Sequence, residues 1–142
     1  FRTITAISVL GTLSVAKYLL DTTALIGHLR GRQEVVSLIN GLASQGRQLG
    51  ICGISLAGLY SGLNPSERAS ADRLTDVLGF SPLNRESAKE AGRYWRESSR
   101  QGWRLTTTDA LLAATAVAEE AILITADARN FPIEDLQVLE HL

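Results

Sequence analysis

The segment Ala121-Ile122-Leu123-Ile124-Thr125 is apolar at every position but its last and shows no polar alternation. A strand with one wet face alternates with a period of two. An unbroken run predicts a strand covered on both sides, as strands of parallel sheets are. Lys17–Leu20 and residues 49–54 are short runs of the same kind, and residues 80–83 and 137–139 are weaker candidates. Helical patterns lie between them. Residues 32–44 carry Val35, Val36, Leu38, Ile39 and Leu42 at helical spacing and stop at Gly46. Residues 23–30 read as a short helix, and residues 56–63 as a helix that opens on a Ser55 cap and breaks at Asn64-Pro65. Residues 66–78 read as a helix with Ala69, Leu74, Val77 and Leu78 on its apolar side. Asn84 opens a long helix that Gly102 ends, Thr106 caps another over 106–120, and residues 129–132 form a turn. Short buried strands alternating with helices point to an α/β fold: a three-layer sandwich, with a central parallel sheet of roughly four to five strands flanked by helices.

A length of 142 residues is one domain's worth. Residues 1–16 read as an N-terminal extension, too short and too rich in threonine and serine to span a membrane, and the domain proper as residues 17–142. The single cysteine, Cys52, sits in an apolar run, so the expectation is a small buried residue and a reducing, cytoplasmic setting. His28 and His141 have no cysteine or histidine at ligand spacing, which excludes a zinc motif. Net charge is −1, so nothing draws nucleic acid to the molecule as a whole. Yet 12 of the 14 basic residues are arginine, whose fork suits phosphate, and a nucleic-acid substrate would be held by a local patch or through metal.

Asp21 follows Tyr18-Leu19-Leu20, and Asp127 stands two residues beyond Thr125. In a parallel sheet both fall on the carboxyl edge, where α/β folds bind their ligands. Asp109 lies in the first turn of a helix that leads into a strand, and such a helix begins at that same edge. Each acid also has a plain structural account: Asp21 as a helix cap, Asp109 as a favourable charge at a helix start, Asp127 as a turn former. Together, three carboxylates on one edge repel one another unless a cation joins them. Mg2+ or Mn2+, hard ions with oxygen ligands and room for water and phosphate, would do so.

Three segments, in this order, resemble the PIN-domain family. Tyr18-Leu19-Leu20-Asp21-Thr22-Thr23-Ala24-Leu25-Ile26 resembles its opening strand and first acid. Thr108-Asp109-Ala110-Leu111-Leu112-Ala113-Ala114-Thr115-Ala116 resembles the segment of its third acid, and Leu123-Ile124-Thr125-Ala126-Asp127-Ala128-Arg129-Asn130-Phe131-Pro132 its closing strand and turn. The resemblance runs from Lys17 to the C-terminus. It implies an acidic pocket holding Mg2+ or Mn2+ and hydrolysis of RNA. For members of the VapC toxin type it also implies cutting of cellular RNA, often tRNA, restraint by a VapB antitoxin, and a homodimer. By this resemblance Asp21, Asp109 and Asp127 are metal ligands or water-positioning acids, and Thr22 and Thr125 are polar supports of the pocket.

One position departs from the family. Its second acid is a glutamate in the helix after the second strand, and in Ile54-Ser55-Leu56-Ala57-Gly58-Leu59-Tyr60-Ser61-Gly62 that place falls on Gly58. Glycine removes a carboxylate and, in a helix interior, costs about 1 kcal/mol relative to alanine. Glu86 and Glu90 are the candidates to replace the acid, although exposure on their helix is the preferred account. The alternative function is an impaired PIN domain that binds RNA or antitoxin without cutting. Arg93, Arg96 and Arg100 share a helix face and read as solvated partners of Glu90 and Glu97 rather than an RNA track. Trp95 and Trp103 read as core or dimer packing. A phosphoacceptor receiver is discounted because neither Lys17 nor Lys89 follows a late strand, and a dinucleotide fold because no Gly-x-Gly-x-x-Gly run follows a strand.

Overall fold

The computed structural model describes residues 2–3 and 17–141. Its order is β1 (Arg2–Thr3), β2 (Lys17–Leu20), α1 (Thr22–Leu29), α2 (Gln33–Ser44), β3 (Gln48–Cys52), α3 (Gly53–Ser61), a 3-10 turn (Pro65–Glu67) and α4 (Arg68–Asp76). Then come β4 (Gly79–Ser81), α5 (Arg85–Arg100), α6 (Thr107–Ala118), β5 (Ala121–Thr125), a 3-10 turn (Ala128–Asn130) and β6 (Gln137–Glu140). The strands form one sheet in the order β1-β6-β5-β2-β3-β4, and every pair is parallel. Five of the strands, β2 to β6, match the predicted sandwich, and Arg2–Thr3 adds a sixth by pairing with Gln137 and Val138. The remainder of the expected extension, residues 1 and 4–16, lies outside the described residues.

Period-two alternation inside each buried strand divides the core into two layers. Leu19, Leu123 and Val138 face α5 and α6, where they meet Ala91, Tyr94, Leu112, Ala113 and Ala116. Tyr18, Leu20, Ile122 and Ile124 face the other way, onto Ala24, Leu25, Val35, Ile39, Leu42 and Leu59 of α1, α2 and α3. Leu19, Leu20, Leu123 and Ile124 have no solvent exposure, so neither face of the central strands is wet, as the unbroken runs predicted. Side chains of this kind contribute roughly 1.5–3 kcal/mol each on burial.

The helix ends follow the capping chemistry with one exception. The Asn84 side chain accepts from Ser87 N at 2.8 Å and the Thr106 hydroxyl from Asp109 N at 3.0 Å. Gly46 and Gly102 take φ of +75° and +80°, conformations that favour glycine, where the chain leaves α2 and α5. Ser55 is not the cap of α3. That helix starts two residues earlier, at Gly53, and Ser55 instead folds back from inside it, accepting from Cys52 N at 3.3 Å and donating to Cys52 O at 3.2 Å.

Two packing expectations change. In α4 the inward stripe is Ala71, Leu74 and Leu78, while Ala69 is exposed and Val77 is 80% exposed. The helix runs Arg68–Asp76 after a 3-10 turn, and Ala71 and Leu74, with Leu78 just past its end, fall on one side at spacings of three and four. Of the two accounts of the tryptophans, the core one does not hold: Trp95, on α5, is 49% exposed because the inward face is carried by Ser87, Ala91, Tyr94 and Ser98, and Trp103, beyond the end of that helix, is 53% exposed. Cys52 is buried, and among the described residues no helix is long and apolar enough to cross a membrane.

The layering sets a contrast in stability. Leu123→Ala, at the centre of the sheet, is expected to lower the unfolding free energy by about 3 kcal/mol. Val77→Ala is expected to stay within about 0.5 kcal/mol of the parent. Urea denaturation of the two variants checks both, and equal losses would contradict the assigned layers.

Candidate active site

The sheet order sets the site. From β2 the chain moves outward one way, to β3 and β4. It returns to β5 on the other side of β2 and continues to β6. The strands β2 and β5 are therefore neighbours whose onward connections diverge, the topological switch point at which open α/β sheets form a crevice beyond their carboxyl ends. Leu20 pairs with Ile124 at the end of this ladder, and Asp21 N donates to Ile124 O at 3.0 Å. Asp21 thus leaves the sheet beside Thr125, two residues before Asp127.

Asp21 caps α1. One carboxylate oxygen, Oδ1, accepts from Thr22 N at 2.6 Å, and Oδ2 accepts from the Thr125 hydroxyl at 2.7 Å. The Thr125 hydroxyl in turn accepts from Asp127 N at 3.1 Å, so one buried side chain holds both the Asp21 carboxylate and the backbone of Asp127. Thr23 Oγ1 lies 3.5 Å from Asp21 Oδ2 and 3.5 Å from Thr125 Oγ1, and accepts from Ala126 N at 3.0 Å. Beyond Asp127, Ala128 N donates to Glu140 Oε2 at 3.1 Å, which ties the turn back to β6. Asp109 stands in the first turn of α6, its backbone held by the Thr106 cap, near enough for the charges of Asp21 and Asp127 to act on it.

The electrostatics are those of a crowded acidic pocket. Burial pushes the Asp21 carboxyl above its usual range; the bonds from Thr125 and Thr22 act against this, and the charge of Asp127 adds to it. Burial likewise raises Asp109, against its interaction with Thr106, and the charges of Asp21 and Asp127 raise it further. The Coulombic influences on both groups come from the other acids, with no arginine or lysine offsetting them among the described residues. This oxygen-only donor set with uncompensated negative charge suits a hard divalent cation. Among the described residues no three His, Cys, Asp or Glu side chains form a ready-made metal cluster. Mg2+ does not need one, since it commonly binds through one or two carboxylates and keeps several of its waters.

The remaining sequence candidates are placed as follows. The Thr22 hydroxyl does not bond Asp21 but donates to Ser55 O at 3.3 Å, facing α3. Gly58 lies on α3 against that same Thr22 side chain. Glu86 and Glu90 are on the surface of α5 with Lys89 and Arg93, at 3.6 Å and 2.6 Å, and bring no carboxylate to the crevice. Arg93 is engaged by Glu90, Glu97 and Asp135, a solvated face as expected. Sequence reasoning missed Thr23 and Glu140. The doublet Thr22-Thr23 after Asp21 was the available signal for Thr23; nothing local marks Glu140.

The raised carboxyls have a consequence for stability. A carboxyl whose folded pKa lies above its unfolded value binds its proton more tightly when folded. Stability is then greatest below the unfolded value and falls as pH rises through the folded one. Asp21→Asn keeps a capping side chain and removes the charge. In metal-free buffer the variant is expected to melt above the parent at pH 7, with the gap closing toward pH 4. Melting curves across that range check it, and a gap that widens on acidification would refute the assignment.

The PIN domain family profile matches residues 18–134. The chain is 31% identical over 122 residues to "Ribonuclease VapC19" of Mycobacterium tuberculosis, covering 84% of this chain and 96% of that protein. It is 33% identical over 117 residues to "Ribonuclease VapC10" of the same organism, covering 81% and 86%. Among solved structures, the fold is similar to that of VapBC2 from Rickettsia felis, crystallised with a promoter DNA fragment. The TM-score is 0.76 at 20% identity, covering 88% of this chain and 98% of that one. By sequence and by fold, the chain belongs to the PIN-domain family, in its VapC branch.

Proposed function

We propose that this protein is a metal-dependent endoribonuclease, the toxin component of a VapBC-type pair, hydrolysing RNA phosphodiesters with Mg2+ or Mn2+. The observation that carries the reading is the convergence of Asp21, Asp109 and Asp127 on the β2–β5 crevice, in a chain whose relatives are named ribonucleases. Asp21 and Asp127 are the residues that would hold the ion, with Asp109 facing them from α6. When bound, the ion supplies positive charge for the phosphodiester oxygens and lowers the pKa of a coordinated water. The protein's own part is orientation. Thr125 and the backbone N–H of Thr22 hold the Asp21 carboxylate in one position, and Thr125 fixes where the chain turns into Asp127. With this geometry set before substrate arrives, little reorganisation is left for the reaction.

The expected partners are RNA, with tRNA the first candidate, a VapB-type antitoxin, and a second copy of the chain, in the cytoplasm. Support for the antitoxin comes from the VapBC complexes among structures of the same fold. The nuclease reading is preferred to a binding-only module because three of the four acids are retained at one crevice in the fold of the family.

The test is cleavage of a mixed RNA pool, tRNA included, with Mn2+ and with chelator. The parent is expected to cut only with metal, and Asp21→Asn to fall to background. Thr125→Val, which keeps the acids but loses their shared hydroxyl, is expected to lose about 10–100-fold. Cleavage that survives chelation or Asp21→Asn would sink the mechanism. RNA binding without cleavage by the parent would turn the assignment to the binding module.

A further inference from the structure

We propose that Thr22 and Gly58 are an interlocked pair. The Thr22 side chain fills the space into which any side chain at position 58 would project, so this chain has closed the place where a fourth acid would enter its pocket. The three heavy atoms nearest to a Cβ at position 58 all belong to Thr22: Oγ1 at 2.5 Å, Cγ2 at 3.2 Å and Cβ at 3.4 Å. The first is far inside van der Waals contact. Threonine is branched at Cβ, with Cγ2 as well as Oγ1 close to position 58, and turning the hydroxyl away breaks its bond to Ser55 O. Both helices are anchored where they meet: α1 by the Asp21 cap and α3 by the Ser55–Cys52 bonds, so the contact is not relieved by fraying.

Among the described glycines within helices the contact falls below 3.0 Å at Gly58 alone; a Cβ at Gly27 would meet Val35 Cγ2 at 3.0 Å. A Cβ at Gly41 or Gly92 meets nothing within 4 Å, so alanine there would gain helix propensity with no clash. At Gly58 the same gain is opposed by Thr22. Loss of the acid and the present position of Thr22 are therefore one structural state, and the acid is not regained by changing residue 58 alone. The consequence for metal binding rests on the proposed nuclease function, whereas the interlock itself does not.

The experiment is a double-mutant cycle read by thermal unfolding in metal-free buffer, with Gly92→Ala as control. Gly92→Ala is expected to raise the melting temperature by about 2–4 °C. Gly58→Ala is expected to lower it. In the Thr22→Ala background, where only an ordinary contact at the Cβ remains, Gly58→Ala is expected to raise it as the control does. If Gly58→Ala stabilises the parent, or destabilises both backgrounds equally, the interlock is wrong. Calorimetric titration with Mn2+ adds a second readout. Gly58→Glu combined with Thr22→Ala is expected to bind about tenfold more tightly than Gly58→Glu alone. Equal affinity of those two variants would show the position to be open and overturn the proposal. If no variant binds Mn2+, the nuclease reading loses its support while the melting cycle still decides the interlock.

Discussion

The parallel ladder between β2 and β5 joins segments about a hundred residues apart, and the site depends on it. Through this pairing Thr125 can donate to Asp21, 104 residues away in sequence. Loop closure over such a span is entropically costly, and the offset comes from the apolar runs: Leu19, Leu20, Leu123 and Ile124 give up all exposure on forming the pair. The strands β2 and β5 then send the chain in opposite directions, which opens a crevice above them. Fully buried strands thus support an acidic opening.

That opening is held in an electrostatically unfavourable state. Burial and mutual repulsion disfavour ionisation of Asp21 and Asp109, and no basic side chain among the described residues relieves them. Donors compensate in part. Thr125, Thr22 N–H and Thr23 surround the Asp21 carboxylate, so its orientation is set by at least two elements at once. Stability is given up locally and supplied by the two core layers, a distribution common at sites that handle charge.

In the proposed interlock, the absence of a side chain at position 58 is built into the packing rather than simply left as a gap. Where a carboxylate would project from α3, a threonine from α1 occupies the space. The pocket therefore has fewer negative charges and a closer contact between two helices that flank it. Within the proposed function, this shifts the task of holding an ion onto the acids of β2 and β5, whose orientation is set by the sheet.

Much of this was legible from local pattern. Unbroken apolar runs, capping residues and the spacing of Asp21, Asp109 and Asp127 are properties of neighbours along the chain, and neighbours dictate whether a strand can be wet, where a helix starts and which residue ends it. The failures were of another kind. Thr22 and Thr23 are chemically identical and adjacent. Which of them turns toward Asp21 and which toward α3 follows from about 100° of helix rotation, fixed only when α1 docks. Val77 and Trp95 are apolar or aromatic residues of helical segments, but the face each occupies is the outward one once its helix docks. Ser55 fits the pattern of a cap, but it bonds back to Cys52 because α3 begins two residues earlier. Fold class and the expectation that three acids share one sheet edge thus came from chain order and periodicity. The hydroxyl partners of those acids, the neighbour of Gly58 and the crevice itself came from the strand order, since contacts between distant segments exist only once the sheet has formed.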